Sequence, residues 1–459
     1  MQSKTTQVKS GFGSKLGFIL AAAGSAVGLG NIWRFPYLAA KYGGGMFLLV
    51  YLIFAVTFGF ALMATEIAIG RRTGKSVIQA YSDMNCHFKP LGWLAGAIPV
   101  IILPYYCVIG GWVLKYLVIF TTGSGASAAG DGSYFSNFIG HAGSPMLFFA
   151  IFILLTAVVV MLGVQKGVEK VSKLMMPVLL ILIVGISIYT LTLPGAIDGL
   201  IYYVKPDFNQ FSIKTVIAAV GQLFYSMSLA MGIMITYGSY VKKDVNLNKA
   251  VSHIEIMDTA VAFLAGMMII PAVFVFSGID GMSAGPGLMF VSLPSVFYRM
   301  GFAGRIVGLI FFVLAGFAAL TSCISVLESI VANCMEIFHA DRKKTTGILS
   351  VIYLIATAVI ALGYSIFYVE VKLPNGSTGQ LLDIMDYISN SFLMPFISLL
   401  SAILIGWIMK PSWIAEEMEL NGEKFSRKKL YNVMIKYIMP LIMIILFLQS
   451  TGLLNMITK

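Results

Sequence analysis

Charge is what this sequence has least of. Only 11% of its 459 residues are Asp, Glu, Lys or Arg, against about 25% in an average soluble domain. A chain this long can bury a large core, but it still needs a polar coat to dissolve. A mean hydropathy of +0.89 leaves no such coat. Histidine and cysteine are scarce too, with four of each. His87, His141, His253 and His339 fall in loops or near the ends of apolar runs, and Cys86, Cys107, Cys323 and Cys334 lie in or beside such runs or in a loop. No metal-ligand spacing emerges and no disulfide can be assigned. An intramembrane enzyme would lack the nucleophile–base pair or metal ligands it needs at mid-membrane. A G-x-x-x-x-G-K-[ST] phosphate loop is also missing, as is any hydrophilic stretch much beyond about twenty residues. Receptor, kinase and ATPase modules are therefore excluded, and coupling to ATP by this chain with them.

What the chain does have is apolar runs of roughly 18–30 residues, enough to cross about 30 Å of hydrocarbon at 1.5 Å per residue. Read between charged and Gly/Pro-rich breaks, they predict an all-α polytopic membrane protein. Eleven spans are expected, at residues 15–40, 46–70, 92–121, 145–163, 171–193, 213–241, 251–277, 303–337, 346–364, 380–409 and 431–453. The net charge of +11 forms no nucleic-acid-binding stripe, because the basic residues sit in short clusters between the runs. With the first residues inside, 21 of the 31 Lys and Arg fall in loops on that side, 6 on the other, and 4 within or near spans. The positive-inside rule then predicts a multi-pass protein of the cell inner (plasma) membrane, with a cytoplasmic N-terminus and an extracytoplasmic C-terminus. Lys9 and Lys15 before Phe18–Leu29 imitate a signal peptide. No small-x-small cleavage site precedes a hydrophilic region, and the apolar pattern runs on past Pro36. The lipid bilayer is the expected surrounding; nucleic acid is excluded as a partner, and no obligatory protein partner is evident.

Two spans carry the wrong residues for an unbroken helix in lipid. The first contains Gly24-Ser-Ala-Val-Gly-Leu-Gly-Asn31 and the sixth Ser226-Met-Ser-Leu-Ala-Met-Gly232, small and polar where Leu or Ile would be expected. Interruptions at matching places in two five-span halves point to an inverted-repeat transporter, because an odd number of spans flips the second half. A backbone that leaves helical geometry in hydrocarbon must satisfy its N–H and C=O groups otherwise, and lining a small polar cavity does so. Freed carbonyls suit Na⁺, while the N-terminal ends of half-helices suit a carboxylate. Gly24-xxx-Gly28 also reads as a helix-packing motif, but packing alone explains neither Asn31 nor Arg34. Arg34, Glu66, Asp258, Glu328 and Asp386 are ionisable residues in or at the ends of spans, and such residues are functional candidates by default.

These residues carry a family likeness. Ala21-Ala-Ala-Gly-Ser-Ala-Val-Gly-Leu-Gly-Asn-Ile-Trp-Arg-Phe-Pro36 followed by Tyr42-Gly-Gly-Gly45 resembles the first-helix motif of the neurotransmitter:sodium symporter family, in the branch of the bacterial amino-acid transporters. Tyr105-Tyr106, Gly167 through Pro177, Gln222 through Tyr237 and Leu320-Thr-Ser322 extend the likeness over nearly the whole chain. The resemblance implies two inverted five-helix repeats with discontinuous helices 1 and 6, at 15–193 and 213–409. These would be flanked by a cytoplasmic tail (1–14), an extracytoplasmic loop (194–212), a cytoplasmic loop (410–430) and an eleventh helix (431–459). It implies sodium-coupled amino-acid symport by alternating access with two Na⁺ and no organic cofactor. One ion would use the Ala26 carbonyl, Asn31, Ser226 and Asp258 with the substrate carboxylate. The other would use carbonyls of Gly24, Val27 and Ala318 with the hydroxyls of Thr321 and Ser322, hard oxygen donors that fit an alkali cation.

By the same resemblance, the substrate carboxylate would meet the Leu29 and Gly30 N–H groups and the Tyr106 hydroxyl. The ammonium would meet carbonyls of Ala26 and Tyr225 and the Ser228 hydroxyl. Ile102, Tyr106, Tyr225, Ser228, Met231, Ser322 and Val326 would shape a pocket for a bulky hydrophobic or aromatic amino acid, with Met231 able to adapt. Amine transporters of the family carry Asp where this chain has Gly28. Arg34 with Asp386 would form the outer gate over Tyr106 and Tyr225, and Lys9 with Glu336, supported by Phe12 and Tyr240, the inner one. The family's usual residue at the Lys9 position is Arg. Gly167 to Pro177 matches a motif that lets the fifth helix unwind inward, and Pro inside a helix removes a backbone bond. Chloride-dependent members have Asn at the Asp258 position and Ser where this chain has Ala262, so chloride-independent transport is expected. The alternative is a membrane sensor that binds an amino acid without moving it.

Overall fold

The computed structural model describes residues 11–125, 128, 132–282 and 285–453. Long helices dominate, as a bilayer demands of a chain whose backbone has no water to bond. In chain order they are α1 (Lys15–Ala26 with Gly30–Lys41), α2 (Gly45–Thr73), α3 (Cys86–Thr121), α4 (Ser144–Met161) and α5 (Val164–Leu191). After these come α6 (Ile213–Ser226 with Ile233–Gly238), α7 (Leu247–Ser277), α8 (Phe302–Phe338), α9 (Arg342–Leu362), α10 (Leu381–Ile408) and α11 (Lys428–Ser450). Among the described residues, nine helices are long and apolar enough to cross a membrane, or ten when the two halves of α1, bent by 52°, count as one. The expected eleventh span turns on α6, whose longer half has 14 residues. The loops also hold short helices that hydropathy alone did not predict, among them Val77–Met84, Ala196–Val204 and Ser412–Met418. Val371–Lys372 pairs antiparallel with Thr378–Gly379.

Burial sorts the helices into an inner and an outer set. The apolar stretch of α3 is 78% buried and that of α2 67%, whereas α5 and α9 reach 33% and α11 28%. The outer helices turn leucines and isoleucines outward, such as Leu174, Ile181 and Ile188 on α5, because lipid tails are as apolar as the residues facing them. Where inner helices cross, small residues let backbones touch. A Cβ on Gly70 of α2 would stand 1.9 Å from the Ile235 carbonyl oxygen, and one on Gly238 of α6 2.4 Å from that of Ile67.

Buried charge pairs gather at the end of the bundle where the basic loops lie. Arg71 meets Glu417 at 2.6 Å, Arg427 meets Glu255 at 3.0 Å, and Arg342 meets Glu328 at 2.5 Å. Glu169, at the start of α5, accepts from the Gly13 N–H at 2.7 Å, the Ser14 hydroxyl at 2.8 Å and the Lys173 ammonium at 2.6 Å. One carboxylate thereby ties the beginning of α1 to α5. In this structure α5 stays helical through both Gly167 and Pro177.

The Glu328–Arg342 pair makes a direct test of this end of the fold. Glu328 is fully buried, and its carboxylate also accepts from the Tyr240 hydroxyl at 2.8 Å. Arg342→Ala should cost about 3–5 kcal/mol, because it strands a buried charge. The melting midpoint in detergent should fall clearly, and Arg342→Ala combined with Glu328→Gln should recover most of the loss. A single variant melting with the wild type would refute the assignment.

Candidate functional site

The site begins where α1 stops. Its first half ends at Ala26, Val27 turns extended at φ −71° and ψ 93°, and the second half restarts at Gly30. The break is held from two sides. The Asn31 side-chain oxygen accepts from the Gly28 N–H at 3.1 Å, and the Gln222 amide on α6 donates to the Gly30 carbonyl at 3.0 Å. Leu29 N–H points to the Tyr106 hydroxyl at 3.4 Å.

The break in α6 is built differently. Residues 227–232 separate its halves, with Ser228, Ala230 and Gly232 at φ of 52°, 62° and 71°. Left-handed geometry is free for glycine but costs roughly 1–2 kcal/mol for residues bearing a Cβ, so something must hold it. Glu66 of α2 does, accepting from the Ala230 N–H at 2.6 Å. The Ser228 hydroxyl reaches across to the Ser25 carbonyl at 2.8 Å and joins the two breaks.

Around these breaks the oxygen donors collect in two groups. In the first, Asp258 of α7 is fully buried. It accepts from the Asn31 amide at 2.8 Å, from the Ser226 hydroxyl at 2.9 Å to each oxygen, and from the Tyr51 hydroxyl at 3.4 Å. No Lys or Arg pairs with it among the described residues. A buried carboxylate among neutral oxygens has the chemistry to hold a hard cation. In the second group, the Ser322 hydroxyl of α8 approaches the carbonyls of Gly24 at 3.4 Å and Ser25 at 3.2 Å. Thr321 donates back to Phe317 at 2.9 Å and to Ala318 at 3.2 Å. The Thr321 hydroxyl thus makes the ordinary intrahelical bond while its oxygen stays beside the Ala318 carbonyl and the end of α1.

A cleft opens between the two breaks. It is lined by Ala26, Gly30, Ile102, Tyr106, Tyr225, Ser228, Met231, Ser322 and Val326, so nine of the ten residues expected around a substrate meet there. Leu29 is not in the lining and reaches the site through its N–H. Ser25, Tyr105 and Asn390 also line the cleft and were not singled out as contacts. Asn390 lies one helical turn beyond Asp386, and that spacing was the signal available. Its amide donates to the Asp386 carboxylate at 2.6 Å and to the Tyr105 hydroxyl at 3.0 Å.

The outer gate residues are differently engaged. Arg34 and Asp386 form no ion pair within 4 Å among the described residues; instead the Arg34 guanidinium lies over the Tyr225 ring at 4.8 Å. At the other end, Lys9 lies outside the described residues. Glu336 accepts from the Ser76 N–H at 2.9 and 3.0 Å. Phe12 is buried edge-on against Tyr237 and Tyr240, and Tyr240 bonds Glu328 rather than Glu336. The Glu328–Arg342 pair joins α8 to the start of α9 across 14 residues, and in the sequence Glu328 is only one candidate among several.

Comparison with known proteins shows the family. The model of the "Sodium:neurotransmitter symporter family" matches residues 9–128 and 132–458. The chain is 36% identical over 449 residues to the uncharacterized sodium-dependent transporter YhdH of Bacillus subtilis, covering 96% of this chain and 98% of that protein. It is 32% identical over 453 residues to an uncharacterized sodium-dependent transporter of Haemophilus influenzae, covering 95% and 97%. The crystal structure of MhsT in complex with L-phenylalanine matches at a TM-score of 0.86 and 38% identity, over 96% of this chain and 100% of that one. The chain therefore belongs to the sodium:neurotransmitter symporter family, and it is a sodium-dependent membrane symporter rather than an enzyme.

Proposed function

We propose that the protein takes up amino acids with bulky hydrophobic or aromatic side chains, each driven by sodium, by alternating access across the cell inner membrane. The cleft carries this reading, because it combines polar groups suited to a zwitterion with the apolar side chains of Ile102, Met231 and Val326. MhsT, 38% identical, was crystallised with L-phenylalanine. The substrate carboxylate meets the Leu29 and Gly30 N–H groups and the Tyr106 hydroxyl. The ammonium meets the Ala26 and Tyr225 carbonyls and the Ser228 hydroxyl. One sodium takes Ala26, Asn31, Ser226 and Asp258 with that carboxylate; the second takes Gly24, Val27, Ala318, Thr321 and Ser322. Sharing a carboxylate couples ion to substrate, since neither binds fully without the other. A Cβ on Gly28 would lie 2.8 Å from the Ser322 oxygen and 3.2 Å from that of Tyr106. Gly28 offers no anion to a monoamine, so the substrate must bring its own.

In this reading α6 counts as a span despite its break. This gives eleven spans, an inverted repeat of 15–193 and 213–409, an N-terminus in the cytoplasm and a C-terminus outside. Arg34 and Asp386 close the outer path over Tyr106 and Tyr225. Lys9 and Glu336, with Phe12 and Tyr240, close the inner one. Asp258 supplies the fixed negative charge that lets transport run without chloride.

Proteoliposomes should accumulate labelled Trp, Tyr, Phe or Leu under an inward sodium gradient alone. Binding without sodium-driven accumulation would point to a sensor instead. Replacing chloride by gluconate should leave uptake unchanged, while Asp258→Asn should cut it at least about tenfold, the value of a hydrogen bond to a charged group. A chloride requirement in the wild type, with Asp258→Asn harmless, would sink that part.

Glycine substitutions test the geometry of the cleft. A Cβ on Gly30 would meet the Tyr225 ring at 2.4 Å, whereas one on Gly185 of α5 meets nothing within 4 Å. Gly30→Ala should lower uptake about 10²-fold, the usual cost of a misplacement near 1 Å, and Gly185→Ala should not. Equal uptake by the two variants would contradict this placement of the site.

A further inference from the structure

A second cleft, which shares no lining residue with the first, lies where the loop after α10 enters α11. Phe425, Arg427, Lys428, Lys429 and Asn432 line it, with no acidic side chain among the lining residues. Arg427, just before α11, clamps two other helices to it. Its guanidinium pairs with Glu255 of α7 at 3.0 Å, donates to the Val56 carbonyl of α2 at 3.1 Å, and covers the Phe60 ring at 3.9 Å. Lys428 is paired with Glu419 at 2.9 Å. Lys429 makes no hydrogen bond or ion pair among the described residues, and its side chain is exposed.

Lys429 also heads a stripe that faces lipid. Val433, Tyr437, Leu441 and Ile444 follow it at helical spacing on α11, each between 44% and 60% exposed. Ile53 and Val56 of α2 and Ile256 of α7 are likewise exposed apolar residues on the helices that Arg427 joins. Trp407 of α10 packs edge-on against Tyr437 at 5.8 Å. Exposed Trp–Tyr pairs of this kind settle at the boundary between hydrocarbon and headgroups. From Tyr437 back to Lys428 is about 13 Å of helical rise, so the cations lie outside the hydrocarbon, on the headgroup side of an apolar wall. The Asn432 side-chain oxygen in the cleft is buried with no partner among the described residues, and a hydroxyl-bearing headgroup would supply a donor.

We propose that this cleft binds an anionic phospholipid of the phosphatidylglycerol type, its phosphate on Lys429, Lys428 and Arg427 and its acyl chains along the exposed stripe of α11. Bound there, the lipid braces the loop after α10 against α2 and α7. Melting midpoints of the purified full-length protein in neutral detergent, titrated with dioctanoyl-phosphatidylglycerol, dioctanoyl-phosphatidylcholine or inorganic phosphate, test it. The glycerol lipid should raise the midpoint saturably, and the other two should not. Lys429→Gln should weaken the apparent affinity about fivefold, and Lys428→Gln with Lys429→Gln about twentyfold, by the usual worth of a cation near an anionic surface. Lys429→Arg should match the wild type. Because Lys429 holds nothing in the fold, its single variant remains decisive even if the double variant folds poorly. Equal stabilisation by phosphatidylcholine, by phosphate alone, or of Lys429→Gln and wild type by phosphatidylglycerol would overturn the proposal.

Discussion

Everything at the centre of this molecule follows from one constraint: backbone groups freed from a helix inside a membrane must find partners within the protein. Each unpaired group costs several kcal/mol in hydrocarbon. Two breaks facing each other meet this cost better than either could alone. Gln222 of α6 caps the Gly30 carbonyl of α1, and Ser228 of α6 bonds the Ser25 carbonyl. Ala26, Gly28 and Gly30 of the first break and Ser228 and Met231 of the second border the cleft. The polar cleft is thus a consequence of breaking the helices, and its chemistry is largely that of peptide groups.

Charge is distributed by the same logic. The ion pairs that knit the bundle, at Arg71, Arg342 and Arg427, lie at the end where the basic loops gather. Asp258, fully buried, has only neutral donors among the described residues. Pairing it with a fixed Lys or Arg would make the fold cheaper and leave no charge there for a mobile cation to meet. A carboxylate held by an amide and two hydroxyls is stable enough to persist and incomplete enough to bind.

Much of this was legible in the sequence, for physical reasons that differ from element to element. Bilayer thickness fixes helix length, so hydropathy located the long spans to within a few residues at most ends. The break in α1 announces itself through Gly24, Gly28, Gly30 and Asn31. The α6 break was visible as small residues, but nothing about Ser228 or Ala230 advertises a positive φ. Glu66 read only as an ionisable residue, because its partner Ala230 lies 164 residues away and no local pattern encodes such a contact. Short amphipathic helices such as Val77–Met84 escape a criterion tuned to length. The gates show a further limit: Arg34 and Asp386 are charges of opposite sign in the right places, yet Arg34 stacks on Tyr225 and Asp386 takes its proton donor from Asn390.

The two breaks are not equivalent, and the difference bears on how the molecule works. In α1 glycines occupy positions 24, 28 and 30, and the chain turns through ordinary extended geometry at Val27. In α6 two of the three left-handed residues carry a Cβ, and such strain persists only where the surroundings over-determine it. Here that role falls to Glu66, one of whose carboxylate oxygens holds Ala230 while the other has no partner among the described residues. A carboxylate used at half its capacity is a weaker clamp than one fully bonded. Of the two halves of the site, α6 is therefore the one stored under tension, and α1 the one that turns without strain.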